Sequence, residues 1–541
     1  MTESAYVDRF TLERLPPREQ WPELLHLEEL GYPERLNVAK VLLQDRVAAG
    51  FGAAPCVGAE RAGGRLTMWS YADVQARAEQ VAHVLCDDCG LVPGERVLLR
   101  APNTPMLFAS YLGVLLAGGV VVATMPLLRA KELSYMIERA KIRIGLCDQR
   151  LLEEAQRARS MGSELELLLA FGDGKPDAAE LERRMADKTA PFEAIDTAAE
   201  DPCLIAFTSG TTGNAKGTMH FHRDLLAVCD CFPPQCLQTR SDDVFIGSPP
   251  LAFTFGTGGL MWFPMRAGAS TILVEQPSPP KLAAAIEAHR PTLCVTSPTA
   301  YRMMLGEGRD LSSLRAGISA GETLPRATFD AFLEKTGIRL IDGIGSTELL
   351  HIFISAPVDE IVPGSTGKPV RHYEAKVIDE NGERVIGQVG RLAVRGPTGC
   401  RYLDDPRQLE YVHEGWNLTG DAYIEDENGY FWYQARTDDM IVSAGYNIAG
   451  PEVESALLLH PAVKDCAVIG VPDPERGQIV TAFVVANEGM TCDDGLVREL
   501  QDFVKESIAP YKYPRAVHFV DALPRTATGK VQRYVLRERS H

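Results

Sequence analysis

Residues Ile205 to Gly217 read Ile-Ala-Phe-Thr-Ser-Gly-Thr-Thr-Gly-Asn-Ala-Lys-Gly, an apolar strand-like run entering a loop of hydroxyls and glycines closed by a lysine. Gly210 and Gly213 let the backbone turn its N–H groups inward, and Thr208, Ser209, Thr211 and Thr212 add hydroxyl donors. Lys216 adds a positive charge, and the combination is that of a phosphate cradle. It is not the G-x-x-x-x-G-K-[ST] loop, because Ala215 stands where the second glycine belongs. Further along, Asp342-Gly-Ile-Gly-Ser-Thr-Glu348 is a glycine-rich turn ending in a carboxylate, and Ser319-Ala-Gly-Glu322 lies just upstream. Thr419-Gly-Asp421 offers a carboxylate acceptor for ribose hydroxyls. Arg436-Thr-Asp-Asp-Met-Ile441 follows, and Pro524-Arg-Thr-Ala-Thr-Gly-Lys530 ends in a Gly-Lys turn. Each motif alone is also compatible with a solvated surface.

The elements that must hold these motifs alternate along the chain. Short Val/Ile/Leu runs, such as Arg96–Arg100, Ile144–Cys147, Ser270–Val274 and Thr292–Thr296, are separated by helical stretches such as Tyr71–Leu85 and Pro280–His289. That pattern predicts an α/β protein with parallel or mixed sheets. Leu151 to Glu200, rich in Ala, Glu and Arg, is expected to connect lobes through solvated helices. Near Arg436–Met440 the pattern changes, and about 100 residues form their own α+β unit. Helices are expected there over Pro451–His460 and Gly495–Ile508, and strands over Val463–Val471 and Val480–Ala486. The expected division is residues 1–437 and a small mobile lid, 438–541.

Composition narrows the partners. A net charge of -18 over 541 residues argues against nucleic acid and anionic membranes. Twelve cysteines without framework spacing, and a lone Cys86/Cys89 pair, point to reduced cytosolic thiols rather than disulfides or a metal. The N-terminus carries neither a basic nor an apolar leader region, so a cytoplasmic location is expected. Between Arg100 and Arg129 no charged residue occurs, but Pro102, Pro105, Pro126 and Gly118-Gly119 break the run into a buried helix and a buried strand.

In this order and spacing the motifs resemble the adenylate-forming superfamily of acyl-CoA synthetases, carrier-loading adenylation domains and luciferases, from about residue 65 to 535. The resemblance implies a large N-terminal domain of stacked αβ layers with a distorted β-barrel, and a small C-terminal domain that rotates between two half-reactions. It implies that Thr208 to Gly213 and Lys216 hold ATP phosphates, and that Gly321 and Glu322 lie beside the adenine. Asp342, Gly343, Ile344, Gly345 and Ser346 wall the nucleotide and acyl pockets, Thr347 holds the α-phosphate and Glu348 binds Mg²⁺. Asp421 and Arg436 resemble the ribose contacts, Asp438 the hinge, Gly445 the pantetheine tunnel and Lys530 the adenylating lysine.

The acyl pocket is expected after Pro249-Pro250, where amino-acid-activating relatives place an aspartate; Thr254 and Phe255 stand here instead. Asp342 to Phe353 looks like the run of benzoate-CoA ligases, with His351 beside the aromatic acid. Leu15-Pro-Pro-Arg-Glu-Gln-Trp-Pro22 and Val122–Ala130 look like the 2-aminobenzoate (anthranilate) branch. The resemblance thus implies a monomeric or homodimeric ligase that joins a small aromatic carboxylic acid to coenzyme A. Other substituted benzoates, a stand-alone enzyme loading a carrier protein, and a non-catalytic nucleotide-binding relative remain alternatives.

Overall fold

A computed structural model of the chain describes residues 3–60, 64–162, 164–175, 177–208, 215–436, 439–443, 446–474, 476–525 and 531–539. The uncharged stretch after Arg100 folds as a helix, Pro105–Leu116, and a strand, Val120–Thr124. Thr104 caps the helix by accepting the Leu107 N–H, and Pro105 sits at the first turn, where no donor is needed. Met106 through Leu116 are all buried, so this helix is apolar on every face because every face is covered. One cover is the helix Tyr71–His83, opened by a capping box between Ser70 and Asp73. A Cβ on Gly113 would stand 2.7 Å from the Ala78 carbonyl, so glycine is what lets these two helices touch. Among the described residues no helix is long and apolar enough to cross a membrane.

Two mixed sheets organise the N-terminal body. The first runs in the order Leu167–Phe171, Ile144–Asp148, Arg96–Arg100, Val120–Thr124, Pro202–Thr208, Lys216–Phe221. Its pairs are parallel except the last, in which Lys216–Phe221 returns antiparallel. The second has nine strands, with Leu340–Gly345, Ala316–Ala320, Leu293–Thr296, Val244–Gly247 and Ser270–Leu273 parallel at its centre. Short β-branched and Leu runs buried on both faces form such strands. A third, antiparallel sheet joins Glu374–Ile378, Val389–Arg395, Trp416–Glu425 and Phe431–Arg436.

Past residue 440 the chain builds a separate small sheet from Tyr446–Ile448, Ile441–Ser443, Gly477–Ala486, Val463–Asp473 and Ala516–Phe519. Helices Gly450–Leu457 and Asp494–Ser507 cover it, with Val453, Leu457, Val468 and Leu500 in its own core. The fold is therefore mixed α/β, with a large N-terminal and a small C-terminal domain. One expectation needs amending: the Ala/Glu/Arg-rich segment after Leu151 is more than solvated helices. Helices Leu152–Ser160 and Glu180–Met185 flank a strand, Leu167–Phe171, that pairs with Ile144–Asp148 and completes the first sheet. A five-residue apolar run was enough to claim that edge.

The third sheet is fastened to the first by a fully buried ion pair. Arg401 Nη1 donates to Asp224 Oδ2 at 2.8 Å, with both side chains at 0% exposure. Asp224 also caps the helix His222–Phe232 by accepting the Phe221 N–H. The guanidinium lies over the rings of Phe221 and Trp21, so the segment Leu15 to Pro22 closes this site from outside. Backbone bonds Met219 N–H to Arg401 O and Leu403 N–H to Gly217 O complete the join. Removing one partner leaves a buried charge unpaired, at a cost of about 3–5 kcal/mol. Asp224→Ala is thus expected to lower the first unfolding midpoint in denaturant, and adding Arg401→Met should restore most of the loss. An Asp224→Ala protein that unfolds at the wild-type midpoint refutes this account.

Candidate active site

The hairpin between Pro202–Thr208 and Lys216–Phe221 sets the geometry, with Thr208 directly opposite Lys216. Ser209, Gly210, Thr211, Thr212 and Gly213 at its tip lie outside the described residues, as do Asp438, Gly445 and Lys530. Lys216 Nζ donates to the Tyr402 hydroxyl at 2.7 Å. That hydroxyl in turn donates to Glu348 Oε1 at 2.6 Å, while Lys216 Nζ itself stays 3.9 Å from the same carboxylate. Tyr402 is kept protonated because burial and the Glu348 charge push its pKa far up. The phenol therefore works as a spacer that passes one hydrogen bond each way and keeps lysine and carboxylate apart. The other oxygen of Glu348 accepts no hydrogen bond from the described residues.

The glycine-rich turn is the end of a strand. Leu340–Gly345 pairs with Ala316–Ala320, placing Asp342 opposite Ser319. Just beyond, the Thr347 carbonyl accepts a 2.8 Å hydrogen bond from His220 Nε2, and Ser346 Oγ meets the Tyr411 hydroxyl at 3.2 Å. Burial holds the His220 pKa down at about 4, so the ring is neutral and can donate only from Nε2 here. Asp342 Oδ1 is buried with no hydrogen-bond partner among the described residues. Burial, opposed by the Gly343 amide and the Ser319 side chain, pushes its pKa up to about 8, which favours the protonated acid at neutral pH.

The remaining expected nucleotide contacts flank this core. Gly321 takes a left-handed turn with φ 88° after Ala316–Ala320. Glu322 accepts from Thr299 at 2.7 Å and faces Arg525 at 3.4 Å. Arg525 also pairs with Asp465 at 2.7 Å, tying the small domain to the body, and Arg302 pairs with the same Asp465 at 2.8 Å. Arg525 and Val531 form a bridge across the segment that carries Lys530. Asp421 and Arg436 lie opposite each other on neighbouring strands and bond at 3.1 Å.

An aromatic cluster surrounds His351. His351 packs against Phe263 at 4.4 Å, Phe255 at 5.6 Å and Phe232 at 6.0 Å between ring centroids. Phe255 and the buried Thr254 come from the short helix Thr254–Thr257. A Cβ on Gly258 would stand 2.2 Å from His351 Cδ2, so that glycine makes the room for the imidazole. His351 is 3% exposed, and neither ring nitrogen has a hydrogen-bond partner among the described residues. Burial, opposed by the Phe255 backbone, lowers its pKa to about 3, which leaves it neutral.

Lys216, Thr347 and Glu348 are thus brought together, with Thr254, Phe255 and His351 in one apolar wall nearby. Tyr402, Tyr411 and His220 also belong to the site, though sequence reasoning singled out none of them. Tyr402 is 54 residues from Glu348 and 186 from Lys216, so no local pattern announces it. The one sequence signal for His220 is its position on the strand leaving the phosphate loop.

Comparison with known proteins gives a consistent picture. The "AMP-binding enzyme" family model matches residues 45–401, and the "AMP-binding enzyme C-terminal domain" model matches 452–530. Benzoate–CoA ligase of Thauera aromatica is 35% identical over 519 residues, covering 93% of this chain and 96% of that protein. The crystal structure of the anthranilate CoA ligase AuaEII in complex with anthranoyl-AMP superposes with a TM-score of 0.88 at 32% identity. That match covers 94% of this chain and 98% of AuaEII. A benzoate CoA ligase from Burkholderia xenovorans LB400 follows, with a TM-score of 0.84 at 32% identity, over 93% of this chain and all of its own.

Two outcomes follow from the geometry. Tyr402→Phe keeps the ring but lets Lys216 and Glu348 collapse onto each other. ATP–pyrophosphate exchange should fall about 10- to 100-fold with an unchanged unfolding midpoint, the size of effect expected when a group that orients a functional side chain is lost. Asp342 gives a pH signature whose sign is set by its raised pKa. Between the unfolded carboxylate range (about 3.9) and about 8 the native state binds a proton that the unfolded state lacks. Its contribution is therefore full below pH 4 and is lost as pH rises through 8. Asp342→Asn should flatten this fall in unfolding midpoint; an unaltered slope contradicts a protonated Asp342.

Proposed function

The chain belongs to the AMP-binding enzyme family, whose two domain models together span most of it, and it is an AMP-forming acid–thiol ligase. From that premise we propose that its acid is aromatic, with 2-aminobenzoate (anthranilate) preferred over benzoate and other substituted benzoates, and that its thiol is coenzyme A. The observation that carries the reading is the buried, neutral, unpartnered His351 among Phe232, Phe255 and Phe263. Flat apolar walls suit a benzene ring, and an imidazole nitrogen with no other partner accepts a hydrogen bond from an aniline amine. The amine is uncharged at neutral pH, so no buried carboxylate is required to hold it. The names of the relatives, a benzoate and an anthranilate ligase, agree with an aromatic acid.

In the reaction the acid's carboxylate attacks the α-phosphorus of ATP, releasing pyrophosphate; CoA then takes the acyl group and AMP leaves. Bringing an anion onto an anion requires fixed positive charge in a dry site. Lys216, held over Tyr402, supplies part of it to the phosphates, and Thr347 steadies the α-phosphate. Glu348, oriented by the Tyr402 hydroxyl, presents its open oxygen to Mg²⁺, which offsets phosphate charge when bound. Asp421 and Arg436 hold the ribose, and Gly321, Glu322 and Asp342 border the base. Lys530 adds charge for adenylation; rotation about Asp438, between residues 1–437 and 438–541, then withdraws it and brings Gly445 to the thiol's path. The enzyme works in the cytoplasm, as a monomer or homodimer.

The test is AMP and thioester formation with ATP, Mg²⁺ and CoA across anthranilate, benzoate, hydroxybenzoates, cinnamate and acetate, with pyrophosphate exchange measured without CoA. The highest kcat/KM is expected with anthranilate. Preference for acetate overturns the aromatic pocket, and exchange without CoA turnover assigns the acyl group to a carrier protein. Lys530→Ala should abolish exchange by at least about a hundredfold while sparing thioester formation from preformed acyl-adenylate.

A further inference from the structure

On the outer surface of the N-terminal body, two distant segments bring together an unassigned group of metal-ligating atoms. His26 Nδ1 lies 2.8 Å from Glu29 Oε1, and His372 Nδ1 lies 3.6 Å from Glu29 Oε2. One ligand atom from each of the three residues falls within 4.8 Å of the others. The two imidazole rings tilt toward each other with centroids 5.2 Å apart.

The scaffold holds both segments in place. Leu24 bridges to Gly396, the Leu25 N–H bonds to the Gly396 carbonyl at 3.0 Å, and Glu23 pairs with Arg395. On the other side the Arg371 N–H bonds to the Gln235 side chain at 2.6 Å, and Tyr373 bonds to Thr398 at 2.7 Å. His372 is nearly covered, its side chain 6% exposed, while Glu29 faces solvent. None of these residues takes part in the site described above.

We propose that His26, Glu29 and His372 form a binding site for a divalent first-row transition ion, Zn²⁺ in particular, which clips the N-terminal segment to the loop before Glu374–Ile378. Two imidazole nitrogens and one carboxylate oxygen are a borderline donor set. Bond lengths of about 2.0–2.2 Å to zinc in a tetrahedron put ligand atoms roughly 3.3–3.5 Å apart. One ligand atom from each residue already lies within 4.8 Å of the others, so side-chain rotations that bring a single Glu29 oxygen between the two imidazoles complete the site. The fourth position opens to water. With a single carboxylate, and Arg371 next in sequence, the site lacks the negative charge and oxygen count that Ca²⁺ or Mg²⁺ needs.

The experiment uses the full chain stripped with chelator and then titrated with ZnCl₂, with MgCl₂ as the control. Calorimetry and thermal unfolding are read in parallel. Expected are one zinc per chain at this site, a rise in Tm that grows with zinc concentration, and no response to Mg²⁺. His26 and His372 both hold left-handed backbone, with φ of 58° and 68°, which asparagine tolerates. His26→Asn and His372→Asn should therefore fold with the metal-free wild-type Tm yet bind zinc at least about tenfold more weakly. Zinc binding that is absent in the wild type, or equally tight in both variants, overturns the proposal. Should a variant fold poorly, the Cu²⁺-loaded wild type decides: hyperfine splitting from two imidazole nitrogens supports the site, and its absence refutes it.

Discussion

Lys216, Tyr402 and Glu348 come from three separate stretches of chain and meet through two hydrogen bonds of 2.7 and 2.6 Å. A lysine and a carboxylate left to themselves in a buried pocket would form a contact ion pair and cancel each other's field. The phenol between them loosens that pair, leaving Lys216 Nζ 3.9 Å from Glu348 Oε1 with its shorter bond to the hydroxyl. Much of the surrounding architecture serves this spacing. The hairpin fixes Lys216, the strand Leu340–Gly345 delivers Glu348, and the bridge between Thr218 and Tyr402 brings the third sheet against the first. The buried Arg401–Asp224 pair, one residue away from Tyr402, makes that junction rigid.

The aromatic cluster around His351 works by the opposite physics. Among the described residues, His351 is surrounded by rings and a glycine. The imidazole is tolerated there because burial keeps it neutral, and it is left with unspent hydrogen-bonding capacity. A polar group without a partner in an apolar box costs stability in the empty protein. A ligand donor able to reach the ring would recover that cost, which is the physical basis of the proposed preference for a polar ring substituent.

What the sequence made legible was local. The apolar runs at Arg96–Arg100, Ile144–Cys147 and Thr292–Thr296 announced strands, and the glycine-rich and hydroxyl-rich turns raised the expectation of phosphate chemistry. The helix Pro105–Leu116 was readable because proline and glycine punctuate it. The strand Leu167–Phe171 was hidden by the polar composition around it, and its identity depends on a neighbour to pair with. Tyr402, Tyr411 and His220 were invisible for a related reason: their roles exist only through partners far along the chain, as in the 127-residue separation between His220 and Thr347. The tie between domains through Arg525, Asp465 and Glu322 is legible only in three dimensions as well.

The all-round burial of the helix Pro105–Leu116 bears on how the protein is made. Its covers include Tyr71–His83, already synthesised, and the sheet in which Val121 pairs with Leu204, which comes much later. A chain emerging from the ribosome in order therefore displays a fully apolar helix for as long as the downstream strands take to appear. That interval is set by translation rate rather than by folding rate, and during it the nascent chain is a natural client for chaperones that shield hydrophobic segments. Covering that helix thus waits on synthesis of residues 117 to 208, a dependence that originates in one helix with no solvent-facing side.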